Sequence, residues 1–402
     1  MRGKFSRQQT IIVILLALLL GGSSLLGLGN ADSPIDPAVS RLRYILIGTS
    51  LLSFLLMSRR YVGHFPINPP PLVFVWYLFG FTACLSGYAN EDLTMMRDGL
   101  WFLVGIPLIF FYALPKLMNT SANLIIVLAT LLGTLPYIIA SFLLNPFWQF
   151  QDNLYRGVFA NANQLGSSAL TMSASVFILL IGAFSARKNK LSHILLLNFI
   201  LFCSLLVILL ANSRTSLIAF FAMFSILINK ILRNPKYLGI IFIIATIVIA
   251  LFLIFSTQNP WLWEQIAQIQ NKDSVSGRDY IWNQTLTEMQ LLGNGSDYFE
   301  LNFGLGAHNT IIDILGINGI IAALLMVCFA IASFCYAFLY FKKYAKQDSY
   351  AIAPLVITTS FWVLSMGEGM FGSFGTGITI AYLLSIGVII TKSNPGKYQN
   401  KY

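Results

Sequence analysis

The chain is short of charge. Only 10% of its 402 residues are Asp, Glu, Lys or Arg, against roughly 25% in a soluble domain. So few charges cannot cover the surface of a soluble protein of this length, and lipid is the solvent that fits. The four cysteines, Cys84, Cys203, Cys328 and Cys335, all lie in apolar runs. They have neither ligand-like nor disulfide-framework spacing, and read as small buried apolar side chains. Histidine is scarce as well, with three in the chain. Also missing are a metal-ligand cluster, a GxSxG turn, a Walker loop and any internal repeat. The stretch Gly372-Ser373-Phe374-Gly375-Thr376-Gly377 is rich in glycine, but it has neither the lysine nor the strand–helix setting of a phosphate loop.

What the chain has is hydrophobic sequence, 57% of it. A span needs about 20 apolar residues to cross a ~30 Å hydrocarbon layer. Runs of that kind fall at 10–28, 42–58, 71–89, 98–114, 122–143, 164–184, 191–210, 215–231, 238–256, 309–340, 350–367 and 376–391. The run from Thr310 to Phe341 is too long for one straight span. Gly316 and Gly319 are where it would break into a short outer piece and a full helix. The expected fold is all-α: one polytopic integral membrane domain over 1–402, with about 12 transmembrane helices. The first apolar stretch, Ile11 to Leu28, is long for a signal-peptide core, so a retained anchor is expected.

The net charge of +10 reads as topology rather than as nucleic-acid binding, because the basic residues sit in short clusters between spans. With Met1 on the cytoplasmic side, 18 of the 25 basic residues fall in inner segments and only Asp348 of the 15 acids does. That is the sign the positive-inside rule requires, and an error of one span would invert it. Both termini are therefore expected in the cytoplasm.

One connection is long. Residues 257–308 form an outer loop. Trp261, Leu262, Trp263, Ile266 and Ile269 suit a short interfacial helix. Ser276 and Asp279 have capping-box spacing for a second one. There Trp282, Leu286, Met289 and Leu292 would form one apolar stripe, ended by Gly293 and Gly295.

The seven outer basic residues are Arg41, Arg43, Arg97, Arg156, Arg214, Lys272 and Arg278. Arg41, Arg43 and Arg97 border spans, where snorkelling accounts for them. Lys272 is a solvated loop charge. Arg156 precedes the sixth span, and Arg214 occupies a very short turn between two spans. Arg278 falls in the first turn of an expected helix, where a cation opposes the helix dipole unless an anion binds there. Each arginine has two readings, an interfacial anchor or ion pair and an anion ligand.

His308 is the outer histidine and opens the tenth span; His64 and His193 fall on the inner side. It offers the imidazole available there as a base near pH 7. Asp313 lies one turn further on, four residues from Asn309, and an Asn309–Asp313 pair is expected rather than a His308–Asp313 dyad. Glu368, at the outer end of the eleventh span, is a further carboxylate with no motif around it.

These residues form an ordered series. Arg156-Gly-Val-Phe-Ala-Asn-Ala-Asn-Gln comes first, then Ser213-Arg214, then Ser276-Gly-Arg278-Asp-Tyr-Ile-Trp282, then Leu292-Gly-Asn-Gly295, then His308-Asn309 with Gly316 and Gly319. The series resembles the O-antigen ligase and O-antigen polymerase superfamily of bacterial envelope glycosyltransferases. It departs from many relatives at Ala162, where they have proline, and the family-like core spans 156–319. The resemblance implies the fold of membrane glycosyltransferases that use polyprenyl donors. It also implies a metal-independent, inverting transferase without cofactor, at the outer face of the bacterial inner membrane. The implied donor is an undecaprenyl-diphosphate-linked glycan; the acceptor is lipid A–core in ligases and another lipid-linked glycan in polymerases. Arg214, Arg278 and Arg156 would bind the diphosphate, His308 would serve the acceptor hydroxyl, and Asn309 and Asp313 would support it. A small-anion transporter and a non-catalytic assembly subunit remain as readings from other classes, the folded outer loop favouring the enzyme.

Overall fold

The computed structural model describes residues 5–28, 39, 41–58, 70–145, 155–185, 191–231, 278–371 and 377–393. The expected ninth span at 238–256, the interfacial helix from Trp261, Lys272, Ser276, His64 and the 372–376 turn lie outside those residues. Among the described residues the secondary structure is helical, with no strand. Seven of the described helices are long and apolar enough to cross a membrane. They are α1 (Arg7–Ser24), α3 (Pro71–Ala89), α4 (Leu93–Met118), α5 (Ala122–Leu144), α6 (Ala162–Ser185), α7 (Leu191–Leu210) and α12 (Ile320–Tyr344). Four shorter apolar helices accompany them: α2 (Leu42–Ser58), α8 (Arg214–Ile231), α13 (Ala353–Ser365) and α14 (Gly377–Ser393). Three short helices, α9 (Asp279–Thr287), α10 (Tyr298–Phe303) and α11 (Thr310–Asn318), form the described part of a cap.

The connections sort by their hydrogen bonds into two ends. At one end Gln9 Nε2 donates to Ser121 Oγ at 3.1 Å, Asn123 Nδ2 to Tyr340 Oη at 2.9 Å and to Asp348 Oδ2 at 2.7 Å, and Tyr344 Oη to the Lys392 carbonyl at 2.9 Å. At the other, the Ala160 amide donates to the Gly27 carbonyl at 2.9 Å and Ser296 N to Asp92 Oδ2 at 2.9 Å. We call these the inner and outer ends. Asp92 also caps α4, accepting from the amides of Thr94 and Met95. Burial pushes its carboxyl up, but the bonds from Ser296, Met95 and Thr94 outweigh burial and hold it below the usual carboxylate range.

The middle of the bundle is aromatic. The indole of Trp76 in α3 is fully buried and donates from Nε1 to the Phe102 carbonyl at 2.7 Å. Phe102 sits where α4 winds as a π-helix, from Trp101 to Gly105 and again from Pro107 to Ala113. Pro107 cannot donate an amide to the ladder there. The rings of Phe329, Phe111 and Phe371 approach the Trp76 ring to 4.8, 5.4 and 5.8 Å. Phe371 also lies 5.3 Å from Phe361 and 5.9 Å from Trp362 of α13. The chain that leaves α13 at the outer end is thereby anchored in the core.

The long apolar run beginning at Thr310 is broken at Gly319, as expected. Gly319 has φ 92°, ψ 179° and separates α11 from α12, a conformation open to glycine. Gly316 is instead an interior residue of α11, packed against the rings of Phe299 and Tyr298. The turn 290–294 docks on the break. Ile320 N donates to the Gln290 carbonyl at 3.0 Å and Asn294 N to the Gly316 carbonyl at 2.9 Å. Leu292 O accepts from Asn90 Nδ2 at 3.2 Å and from the Ser86 hydroxyl. This fastens the cap to the outer end of α3.

The cap departs from expectation in two respects. The helix begins at Asp279, so Arg278 occupies its N-cap position rather than its first turn. It ends at Thr287, and its buried residues are Ile281 and Thr285, with Trp282 packed beside them. Leu286 and Met289 are exposed. The helix is too short to carry the stripe on to Met289 and Leu292, so that periodicity loses its meaning there.

Candidate functional site

Five short pieces of backbone meet at the outer end. The first is the loop before α6. Tyr155 Oη donates to the Ser141 carbonyl at 2.8 Å, Asn145 Nδ2 to the Gly157 carbonyl at 2.8 Å and Val158 N to Ser141 Oγ at 3.2 Å. Gly157 takes φ 56°, and a side chain there would strike Ser141. Arg156, between Tyr155 and Gly157, is thus held by its neighbours against the end of α5, half-buried. Asn161 caps α6, its Oδ1 accepting from Asn163 N at 2.8 Å.

The second piece is the turn Ala211-Asn212-Ser213 ahead of α8. Asn212 has φ 50° and, like Ser213, is buried. Gly166 of α6 leaves space for the Ser213 side chain, which donates to Ser216 Oγ at 2.8 Å. This close approach brings the first turns of α6 and α8 together, with Arg214 opening α8.

The remaining pieces converge on residues 366–370, which follow α13. Arg278 Nη1 donates to the Gly367 carbonyl at 3.1 Å. A side chain at Gly367 would strike Thr215, the neighbour of Arg214. Asn309 Nδ2 donates to the Met366 carbonyl at 3.2 Å, Thr310 Oγ1 to the Glu368 carbonyl at 3.1 Å, and the Met370 amide to Thr310 Oγ1 at 2.9 Å. His308 Nδ1 lies 3.3 Å from Glu368 Oε2, with side chains 31% and 17% exposed. Trp282 Nε1 donates to the Ala307 carbonyl at 2.8 Å and so ties α9 to the loop that carries His308. His308 itself has φ 51°. A non-glycine residue holds that conformation at a cost, and does so where its surroundings fix it on both sides.

Asp313 does not pair with the Asn309 side chain. Asn309 is the N-cap of α11, with φ −150° and ψ 116°, and its Oδ1 accepts from Ile311 N at 3.0 Å and Ile312 N at 3.3 Å. The i, i+4 side-chain relation that motivated the pair belongs to residues inside a helix, and Asn309 stands outside one. Asp313 Oδ1 instead accepts from the Ala307 amide at 3.0 Å, and its other oxygen fills the space left by Gly369. In this nine-residue helix, outside the long spans, burial pushes the Asp313 carboxyl up to about 6, partly offset by the Ala307 amide and by His308.

The structure therefore joins Arg278, His308, Asn309 and Asp313 through one short segment and sets the Arg214 turn beside it. Arg156 sits on the loop leading into α6, which is held on the end of α5 through Ser141 and Asn145. Sequence reasoning missed the partner of His308, which is Glu368, and the roles of Gly367, Gly369, Thr310 and Trp282. The available signal was the tripeptide Gly367-Glu368-Gly369: an acid between two glycines at the outer end of an apolar helix. Arg97 pairs with Asp98 at 3.3 Å, Arg43 lies over the Tyr44 ring at 4.6 Å, and His193 is exposed near the start of α7.

Residues 199–327 match a family model described as O-antigen ligase. The match takes in Arg214, Arg278, His308, Asn309 and Asp313, and Arg156 precedes it. A search of curated proteins finds no match to the chain. The matched stretch, 129 of the 402 residues, is similar to O-antigen ligases, and it sits in an all-helical bundle with many apolar helices.

Proposed function

We propose that the protein is a glycosyltransferase that moves a glycan from an undecaprenyl-diphosphate donor to an acceptor hydroxyl, in the manner of an O-antigen ligase acting on lipid A–core. The setting is the outer face of the bacterial inner membrane, with both termini cytoplasmic. One observation carries the reading. Arginine and imidazole groups distant in sequence meet around residues 366–370, with Arg278 on Gly367 and His308 on Glu368, and the O-antigen ligase match covers both.

In the proposed reaction the acceptor oxygen bonds to C1 of the donor sugar as the bond from C1 to the diphosphate oxygen breaks. The electron pair leaves with the diphosphate. Charge grows on that leaving group, and Arg278 and Arg214, assisted by Arg156, stabilise it through charge-assisted hydrogen bonds. His308 takes or orients the acceptor proton. Asn309 and Asp313 support His308 by holding the chain on either side of it, Asn309 through Met366 and Asp313 through Ala307.

The test is the species that accumulates when the gene is deleted, followed by transfer from purified lipid-linked donor to lipid A–core. Long lipid-linked chains and restored transfer are the expected results. Accumulated single repeat units would reassign the protein to polymerisation. No accumulation of lipid-linked glycan would remove the enzyme reading in favour of a transporter or an assembly subunit.

A further inference from the structure

The carboxylate of Glu368 has no place in the reaction as written, yet the fold goes to some length to fix it. α13 delivers it, and Phe371, three residues on, is held in the aromatic core by Trp76, Phe361 and Trp362. Both carbonyl and carboxylate of Glu368 face the His308 segment. The carbonyl accepts from Thr310 Oγ1 at 3.1 Å, and Thr310 Oγ1 in turn accepts from the buried Met370 amide at 2.9 Å. The carboxylate lies 3.3 Å from His308 Nδ1. Gly367 and Gly369 on either side are filled by Thr215 and Asp313, so the tripeptide cannot slide along its neighbours. From the opposite side the φ of 51° at His308 sets where the ring leaves the backbone.

A neutral imidazole has one N–H and one free lone pair, and the hydrogen bond made by one nitrogen decides which is which. A carboxylate at Nδ1 keeps the proton there and leaves Nε2 as the acceptor. It also stabilises the imidazolium that forms when Nε2 takes a proton, as the acid of a nucleophile–base–acid triad does. Among the described residues, the other charged groups near the pair are Asp313, on the His308 side, Arg278 on the Gly367 carbonyl, and Arg214, next to Thr215. An ionised Glu368 would oppose the two cations and share the imidazole with Asp313.

We propose that Glu368 is the positioning residue of the transfer reaction, fixing His308 as the Nδ1–H tautomer so that Nε2 faces the acceptor hydroxyl. This rests on the transferase reading above, in which His308 serves the acceptor. It adds a residue that lies outside the matched family region, which ends at 327.

The tautomer is read directly by ¹⁵N NMR of histidine-labelled full-length protein in detergent micelles at mildly alkaline pH. With three histidines in the chain, His308→Gln assigns the signal. Wild type should show the Nδ1–H form. Glu368→Ala should lose that preference and at least about tenfold in kcat, with KM for the lipid-linked donor little changed. Glu368→Gln, whose carboxamide oxygen still accepts from Nδ1–H, should keep the tautomer but recover only part of the turnover, since it lacks the charge. An Nε2–H signal in wild type, or a tautomer unaffected by Glu368→Ala, would overturn the proposal. If the signature is present but wild type transfers no glycan from any lipid-linked donor, the positioning of the ring stands and the transferase reading falls. Should Glu368→Ala fail to accumulate, Glu368→Gln against wild type still decides: its turnover at matched protein amounts either falls, as expected, or equals wild type and sinks the proposal.

Discussion

The two ends of the bundle use polar side chains for different purposes. At the inner end they are turned toward one another. Asn123, 1% exposed, donates to both Tyr340 and Asp348, and Tyr344 closes on the backbone of Lys392. That network fastens the ends of α5, α12 and α14. At the outer end the polar groups mostly hold backbone, through Arg278 on Gly367, Asn309 on Met366 and Asp313 on Ala307. What they present toward solvent is a half-buried His308 beside a carboxylate. Asn212 and His308 carry positive φ there, as Asn119 does at the inner end, a backbone cost that packing must offset. One end is built to be stable and the other to hold a geometry, so substitutions at the two should separate stability from turnover.

The largest effect is expected at His308 and Arg278. His308→Ala should lose about 10²–10⁴ in turnover with donor binding largely intact, the usual worth of a general base. His308→Gln should not rescue it, and near-normal turnover in His308→Gln would make the residue structural. Arg278→Ala and Arg214→Ala should each lose about 10²–10³. Arg278→Lys should be impaired although it inserts, because lysine keeps the charge but loses the fork. Rates are measured in vitro at matched protein amounts. Wild-type transfer by both alanine variants would break the contrast between the ends.

A smaller effect is expected at Gly367. An added methyl meets the β-branched Thr215, which has little freedom to move aside. Gly367→Ala should displace the carbonyl that Arg278 uses. We expect turnover to fall about tenfold at a stability cost of about 1–3 kcal/mol, the range for overpacking. Unfolding and transfer measured on the same preparation separate the two. The smallest effect on turnover is expected at Asn123. Asn123→Ala removes two hydrogen bonds and should lower stability by about 1–3 kcal/mol, seen as a lower thermal midpoint in detergent, while kcat stays within about twofold of wild type. A large loss of kcat there would mean that the two ends are coupled.

Much of the architecture was legible because long apolar runs carry a strong signal. The glycine break before Ile320 was visible as an interruption in a run too long for one span. The grouping of Arg214, Arg278 and His308 at one end followed from placing the spans. What sequence could not give were the pairings between elements. Glu368 meets His308 from 60 positions away, through a segment that has no periodicity of its own. The Asn309–Asp313 pair was a helical inference applied across a helix boundary, where a carboxamide turns to cap free amides instead. The apolar stripe expected through Leu286 and Met289 rests on a period that holds only while the helix lasts, and the helix stops at Thr287.

Gly293 and Gly319 meet almost backbone to backbone. A methyl on Gly319 would strike the amide of Gly293 and the carbonyl of Leu291, and one on Gly293 would strike the carbonyl of Ile317. For loop grafting this makes them a single joint. An outer segment transplanted from a relative to change acceptor preference has to bring Gln290 through Ile320 as one cassette. A cut made between the two glycines would pair a host surface with a guest surface never shaped for it, and the chimera would be expected to fail at the seam, before acceptor choice is ever put to the test.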